Sequence, residues 1–521
     1  MLPVTLALIL FRLYQSPAFG ENSDPVAWGL LLVFSVVAVW LGRRGTEALL
    51  RSPLAQGDAR SLAIFTLAAF AAYVVVARLV LDAFPNSGDE LAYVMQAQTY
   101  GRGRLWVDLP PDPDAMRLFR FFDVRGHWLS QYPPGWALVL APFAAVGAPL
   151  WIVNPALGAA ILVLFHALAR RHVGARVAWL ATLLLATSAF YVLTVASFFN
   201  HALTTLCALV FALFAERFLE RGRWRDALLA GLAVGALGVT RTQNAAPFVA
   251  AFLLVLAFRP GRRLGLVWFG LGGAPLLLAL MAYNAVTTGN PLLPPQNWAG
   301  DAPLGPPQPP GTETGGGSGP EPLGQIGLET VLLTVNRLVR LHEWGSPIVL
   351  YGSMAAFLVL ARRRAVGLTD WIAPITIVMF LAYGGDGGNQ YGPRYYFEAW
   401  PFALLTAAKV AESLLASPDR RLHDWTAAGI IAALVLQLAY LAPRLEREHR
   451  VVIEGQVGML RRLAPADLAR NGLDVVDRDI IYARAVPSGD AALIAAYPGR
   501  PLYTYRAGRL TPRVTKPPAA P

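Results

Sequence analysis

The sequence predicts an all-α polytopic membrane protein of about 12–13 transmembrane helices, with helices along the membrane surface in its first outer loop and a small C-terminal α/β domain. Three observations carry this. The 521-residue chain is 55% hydrophobic and 15% charged, with a mean hydropathy of +0.46, which is more apolar surface than one soluble core hides. Apolar blocks of spanning length recur from Val26 to Leu441. Short Arg-rich connections separate them, as expected of a chain that crosses a bilayer repeatedly.

Spans are expected at 2–13, 26–41, 61–81, 152–168, 177–194, 202–219, 227–240, 245–258, 265–286, 347–361, 371–383, 397–416 and 427–441. The first has no basic residue ahead of it and reads as a short span, not a cleaved signal peptide. Basic clusters test the list: Arg43/Arg44/Arg51/Arg60, Arg170/Arg171/Arg176, Arg217/Arg221/Arg223/Arg225, Arg259/Arg262/Arg263, Arg362/Arg363/Arg364 and Arg420/Arg421. All fall on one side, provided 136–151 does not cross. That stretch is short, follows Pro133-Pro134 and contains Pro142 and Pro149, so it reads as an interfacial helix. The net charge of +11 is accounted for by these inner connections, and no nucleic-acid partner is expected. Cys207 is the only cysteine, which excludes an internal disulfide and a Cys-based metal site.

The division that follows is N-terminal spans over 1–60, a transmembrane domain over 61–442 and a small extracytoplasmic domain over 443–521. The opposite face from the arginines receives the long segments: 82–135, 287–346, 384–396 and the tail. Within the second, 299–325 is Pro/Gly-rich and is expected to be a flexible flap. In the tail, an amphipathic stretch at 451–463 precedes short alternating runs. Arg outnumbers Lys and Ala is abundant, a GC-rich coding bias that suggests a bacterial inner membrane.

Chemistry is sought on the long-loop face. Ser87 can cap a helix there, Glu90 follows as in a capping box and Gly101 can end it. Leu91, Val94, Met95 and Ala97 give it an apolar side, so it is expected to lie on the membrane surface and hold Asp89 in its first turn. An acid there also complements the helix dipole. Arg394, between a Gly-rich loop and the span from Phe397, stands where a lipid phosphate would lie, with Arg241 second. An arginine snorkelling at a helix end accounts for either position as well. Arg337, Arg340, His342 and Glu343 cluster before Pro347 and read first as a solvated amphipathic face. Span interiors hold almost no charge; Glu216, Lys409 and Glu412 lie towards inner ends.

Four motifs recur in order on one side: Asp89-Glu90; Tyr132-Pro133-Pro134-Gly135-Trp136; Tyr283-Asn284 with Gly289-Asn290-Pro291; and Tyr391-Gly392-Pro393-Arg394-Tyr395. The set resembles the membrane glycosyltransferases of GT-C fold that use polyprenyl-phosphate sugars, among them protein O-mannosyltransferases, lipid A aminoarabinose transferases and rhizobial core-sugar transferases. The resemblance implies a polyprenyl-phosphate-linked sugar donor, an extracytoplasmic acceptor and inverting transfer. It makes Asp89, with Glu90, the catalytic carboxylates, and puts Arg394, Arg241, Tyr391 and Tyr395 at the donor phosphate. Where relatives often carry an acid that assists the site or holds a divalent cation, this chain has Asn200 and His201. These two, with Arg337 and His342, are accessory candidates, and a divalent cation stays open. Asp108, Asp112, Asp114 and Asp123 of the first outer loop are further carboxylates with no ranking among them. A polysaccharide ligase shares the same outer-face site. A transporter or lipid flippase would place its charges inside the spans.

Overall fold

The computed structural model describes residues 58–109, 120–298, 328–382 and 391–454, together with 495, 502–506 and 509–513. The first two expected spans, the flap at 299–325, Asp112 and Asp114 lie outside these residues. The described chain is mostly helical. The eleven expected spans from 61–81 onward fall on helices as far as they are described, but among the described residues five helices are long and apolar enough to cross a membrane, or seven if each bent pair counts as one span.

Helix α1 (Ala59–Val75, continued by Val76–Val80) turns Ile64, Leu67 and Leu79 outward, an apolar exposure that suits lipid. The first large loop holds α2 (Gly88–Gly101), β1 (Val107–Asp108), β2 (Phe121–Val124) and β3 (His127–Ser130). The strands form an antiparallel sheet ordered β1-β3-β2, with Val107 opposite Trp128 and Phe121 opposite Ser130. Phe121 and Trp128 pack on Ala92 and Met95 of α2, so the apolar side of α2 is covered by protein and not laid on a membrane surface. The covering sheet comes from the same loop. Helix α3 (Gly135–Ala145) follows; at 11 residues it spans about 16 Å, too short to cross.

Helices α4 (Val153–His172) and α7 (His201–Arg221) run side by side in the same direction. Asn154 Nδ2 donates to the carbonyls of Ser197 and Phe199 at one end. Arg171 meets Glu220 at 2.5 Å and His172 meets Glu216 at 3.0 Å at the other. This puts Arg170 and Arg171 beside the Arg217–Arg221 cluster, so these two basic groups share one side. Between them, α5 (Ala175–Thr187) and α6 (Ala189–Ala196) form one path bent by 61°.

Helix α8 (Trp224–Thr240) returns to the loop end, α9 (Thr242–Ala257) goes back, and α10 (Gly265–Thr288) rises again. α8 and α10 touch backbone to backbone: a Cβ on Gly231 would lie 1.9 Å from the Phe269 carbonyl, and one on Gly272 2.0 Å from that of Leu228. α11 (Leu328–Trp344) and α12 (Pro347–Arg362) meet at 120°. α13 (Leu368–Met379), α14 (Trp400–Leu415) and the long α15 (Arg420–Glu454) complete the bundle. Of the expected C-terminal domain, the end of α15 and an antiparallel hairpin of β4 (Leu502–Arg506) and β5 (Arg509–Arg513) are described.

Candidate active site

Asp89 and Glu90 occupy the first turn of α2, and the cap forms as its residues dictate. Ser87 Oγ accepts from the Glu90 N–H at 3.2 Å; Glu90 Oε2 accepts from the Ser87 hydroxyl at 3.0 Å and the Asn86 N–H at 3.1 Å. Glu90 does more than cap. Fully buried, its Oε1 accepts from the Phe198 N–H at 2.9 Å and so ties α2 to the turn before α7. Burial pushes its carboxyl up to about 7 against the pull of these donors.

A raised folded pKa gives a definite pH dependence. The folded state binds more protons than the unfolded one between pH 4.5 and about 7, so this contribution is full below 4.5 and lost as pH rises through 7. At about 1.4 kcal/mol per unit it amounts to about 3 kcal/mol. Thermal unfolding of wild type and Glu90→Gln from pH 5 to 8 is expected to show wild type losing stability relative to the variant up to about pH 7, with the gap levelling off above it. A constant difference would refute it.

Asp89 faces the opposite way, into a cluster of donors. Tyr132 donates to its Oδ1 at 2.5 Å, Arg120 Nε to the same oxygen at 3.2 Å, and Arg394 Nη2 to Oδ2 at 3.1 Å. Burial alone would raise the Asp89 carboxyl, but Arg394 and Arg120, with the Tyr132 hydroxyl, outweigh it and hold the group below the usual carboxylate range. The carboxylate is ionised at neutral pH.

Arg394 reaches Asp89 through a strained turn. Tyr391 and Gly392 both take positive φ, 60° and 99°, unusual for the tyrosine, and a short 3-10 turn, Arg394–Tyr396, follows. A Cβ at Gly392 would press on Phe190 and Trp344 at 3.0 Å. The guanidinium lies 3.8 Å above the Phe199 ring, and its Nε is buried without a hydrogen bond among the described residues.

A second buried polar cluster lies behind Phe199. His201 Nδ1 is 2.9 Å from Glu398 Oε1, Thr204 donates to that oxygen at 2.6 Å, and Asn244 Nδ2 donates to Oε2 at 2.7 Å. Arg241 sits at the break between α8 and α9, with Nη1 donating to Asn200 Oδ1 at 3.1 Å, Nε to Asn244 Oδ1 at 3.3 Å, and Glu398 4.0 Å away. Gly135 makes this possible: a Cβ there would lie 2.4 Å from Thr240 Oγ1, so the YPPG turn and the Arg241 break pack directly together. Tyr395 is flanked by Arg241 at 6.0 Å and Arg337 at 5.6 Å from its ring.

The structure therefore joins Asp89, Tyr132 and Arg394 in one contact set, and Arg241, Asn200, His201, Tyr395 and Arg337 in an adjoining one. Arg337 is a correction: it is 1% exposed, not on a solvated face, and donates to the Phe380 carbonyl at 2.7 Å. His342 stands apart, bonded to Tyr351 at 3.1 Å. The 283–291 motif closes the end of α10, where Asn284 Nδ2 donates to the Pro291 carbonyl. Asp108 is exposed and Asp123 accepts from Gly126 in a turn. Arg120, Asn244 and Glu398 were not singled out in the sequence. Glu398 had a visible signal, as an acid one residue inside the span expected from Phe397, against the reading that span interiors hold almost no charge.

A divalent cation does not fit the Asn200–His201 position. The Asn200 oxygen is taken by Arg241, one carboxylate and one imidazole are the anionic and nitrogen donors there among the described residues, and a guanidinium lies 4.0 Å from that carboxylate. Among the described residues no group of three or more His, Cys, Asp or Glu side chains converges.

Comparison with known proteins bears on residues 132–285, which match the family described as dolichyl-phosphate-mannose-protein mannosyltransferase. The match includes the YPPG turn, Asn200, His201 and Arg241; Asp89 and Arg394 lie outside it. No curated protein sequence matches the chain. Among solved structures it is similar to ArnT from Cupriavidus metallidurans bound to undecaprenyl phosphate, at 12% identity over 78% of this chain and 80% of that one, with a TM-score of 0.49. It is also similar to the Archaeoglobus fulgidus oligosaccharyltransferase in the apo form (13%, 73% and 56%, 0.46). The archaeal oligosaccharyltransferase AglB from Archaeoglobus fulgidus, in complex with an inhibitory peptide and a dolichol-phosphate, gives 14%, 74% and 56%, 0.45. The chain spans a little over half the length of each of these archaeal structures. Residues 132–285 are similar to the dolichyl-phosphate-mannose-protein mannosyltransferases, and with its ordered motifs the chain resembles the membrane glycosyltransferases that draw on polyprenyl-phosphate sugars.

Proposed function

We propose that the protein transfers a sugar from a polyprenyl-phosphate donor to an extracytoplasmic acceptor, lipid, glycan or protein, with inversion at the anomeric carbon. The observation that carries this is the Asp89–Arg394 pair, a depressed carboxylate and a buried guanidinium 3.1 Å apart. The acceptor hydroxyl oxygen attacks the anomeric carbon while its proton passes to Asp89. The bond from that carbon to the phosphate oxygen breaks, and Arg394 takes up the charge left on the lipid phosphate. Arg241 and Arg337, on either side of Tyr395, extend the cationic surface. The basic clusters lie at the other ends of the same helices, which supports an extracytoplasmic site.

Purified protein in proteoliposomes, given a polyprenyl-phosphate sugar and a mixed acceptor extract, is expected to release polyprenyl phosphate with formation of a glycosylated product. Translocation of the lipid without bond cleavage would refute the assignment. Because Arg241 fills the place of a cation beside Glu398, EDTA is expected to leave the rate unchanged. Loss of activity restored by a divalent ion would show that a metal is required.

A further inference from the structure

At the far end of the helices that carry the site, the turns joining α7 to α8 and α9 to α10 enclose a cavity of about 560 Å³. We propose that it binds the phosphate headgroup of an anionic phospholipid from the opposite leaflet. Arg223, Arg225 and Arg262 line it together with Trp224, Trp268 and Phe218, and its lining contains no carboxylate. Among the described residues none of the three arginines forms an ion pair: Glu220 is bound by Arg171 at 2.5 Å, and Asp226, in the first turn of α8, pairs with none of them. Three uncompensated guanidiniums around one cavity select a multiply bonding anion such as a phosphate.

The cavity is built, not an accident of loose side chains. Arg262 Nη2 donates to the Glu220 carbonyl at 2.9 Å, which fixes the guanidinium over Gly222. That residue has φ 70°, and a Cβ on it would fall 1.6 Å from Arg262 Nη1. Gly265 admits the Phe218 ring in the same way, at 1.9 Å. Trp224 and Trp268 pack at 4.8 Å, and Arg225 lies 5.4 Å from the Trp224 ring. Paired tryptophans with arginines are the composition of a membrane–water boundary, and basic pockets between helices at that level take anionic headgroups.

Its position favours a lipid over a free phosphate. Phe258 and Leu264, beside the cavity on the α9–α10 turn, are 78% and 76% exposed, and Leu266 and Val267 continue the apolar surface along α10, where acyl chains would run. The 21 residues of α7 separate the cavity from His201 by about 30 Å. It is therefore on the other side of the bilayer from Asp89, and the inference stands apart from the proposed reaction.

The test uses the full chain purified in mild detergent, with phosphatidylglycerol, phosphatidylcholine or inorganic phosphate added. Phosphatidylglycerol is expected to raise the unfolding temperature and stay bound in native mass spectrometry, with neither other probe doing so. The triple variant Arg223→Gln, Arg225→Gln, Arg262→Gln is expected to weaken that binding about tenfold or more, while Arg420→Gln, Arg421→Gln, elsewhere among the basic clusters, keeps it. Gly222→Ala, which displaces Arg262 without removing charge, should weaken it too, and serves if the triple variant does not fold. Retention of phosphatidylglycerol by the variants at wild-type level would overturn the site. Equal stabilisation by inorganic phosphate would overturn the lipid as its source.

Discussion

Asp89→Asn is expected to lower sugar transfer by about 10²–10⁴-fold, the usual contribution of a positioned base, while polyprenyl phosphate binds at least as tightly as to wild type. The second half of the expectation separates this reading from a structural one. In the protein as it stands, Arg394 spends one donor on Asp89 Oδ2 at 3.1 Å. The amide oxygen of Asn still accepts from Tyr132 and Arg120, but its NH₂ group turns towards Arg394 and releases that guanidinium. A phosphate then competes with nothing. Arg394→Ala should show the reverse, weakening polyprenyl phosphate binding about 10–100-fold for one lost charge-assisted contact. The measurement is lipid binding by native mass spectrometry beside product formation in proteoliposomes. Weaker binding by Asp89→Asn, or transfer at the wild-type rate, would remove Asp89 from the chemistry.

The depressed carboxylate fits this role in a particular way. An acid held below the usual range by Arg394 and Arg120 is a weak base while both guanidiniums contact it. In the proposed reaction, moving Arg394 from Asp89 to the lipid phosphate would remove the larger of the two lowering charges, so donor binding would itself raise the basicity of Asp89. In the proposed reaction one arginine would thus couple occupancy of the donor site to activation of the acceptor. Tyr132 and Arg120 remain to orient the carboxylate, and neither lies within the 3.1 Å contact being exchanged.

What was legible in the sequence follows from how local the determinants are. Helix positions and the relative placement of the basic clusters depend on apolar runs and arginines within each segment, and from Arg170 onward they agree with the helix directions among the described residues. The Ser87 cap is equally local. The burial of α2 was not legible, because its cover is a sheet formed by strands at 107–108, 121–124 and 127–130, and the cross-strand pairs have no period visible from α2. Arg337 looked solvated on a helix whose charged side seemed free; it is buried because Phe380 and Tyr395 meet it from other parts of the chain. Asp89 and Arg394 are 305 residues apart, and only the resemblance of their motifs placed them in one site.

Glu398 is the residue whose loss should cost most in folding. Its side chain is 2% exposed, and three donors and one guanidinium depend on it: His201, Thr204, Asn244 and Arg241. Glu398→Ala leaves those donors facing a void and Arg241 with no counter-charge, a change of about 3–5 kcal/mol where a buried pair is broken. Folded protein after detergent extraction should fall sharply, as read by size exclusion. Glu398→Gln separates positioning from folding. Its oxygen still serves His201 and Thr204, but its NH₂ meets the Nδ2 of Asn244, donor against donor. Asn244 relieves this by rotating its amide, and in doing so withdraws the Oδ1 that holds Arg241 Nε at 3.3 Å. The Gln variant should therefore fold, yet bind polyprenyl phosphate about tenfold more weakly, the size of one charge-assisted hydrogen bond, with a higher KM for the donor and little change in kcat. Wild-type binding in a folded Gln variant would confine Glu398 to the core and detach Arg241 from the donor.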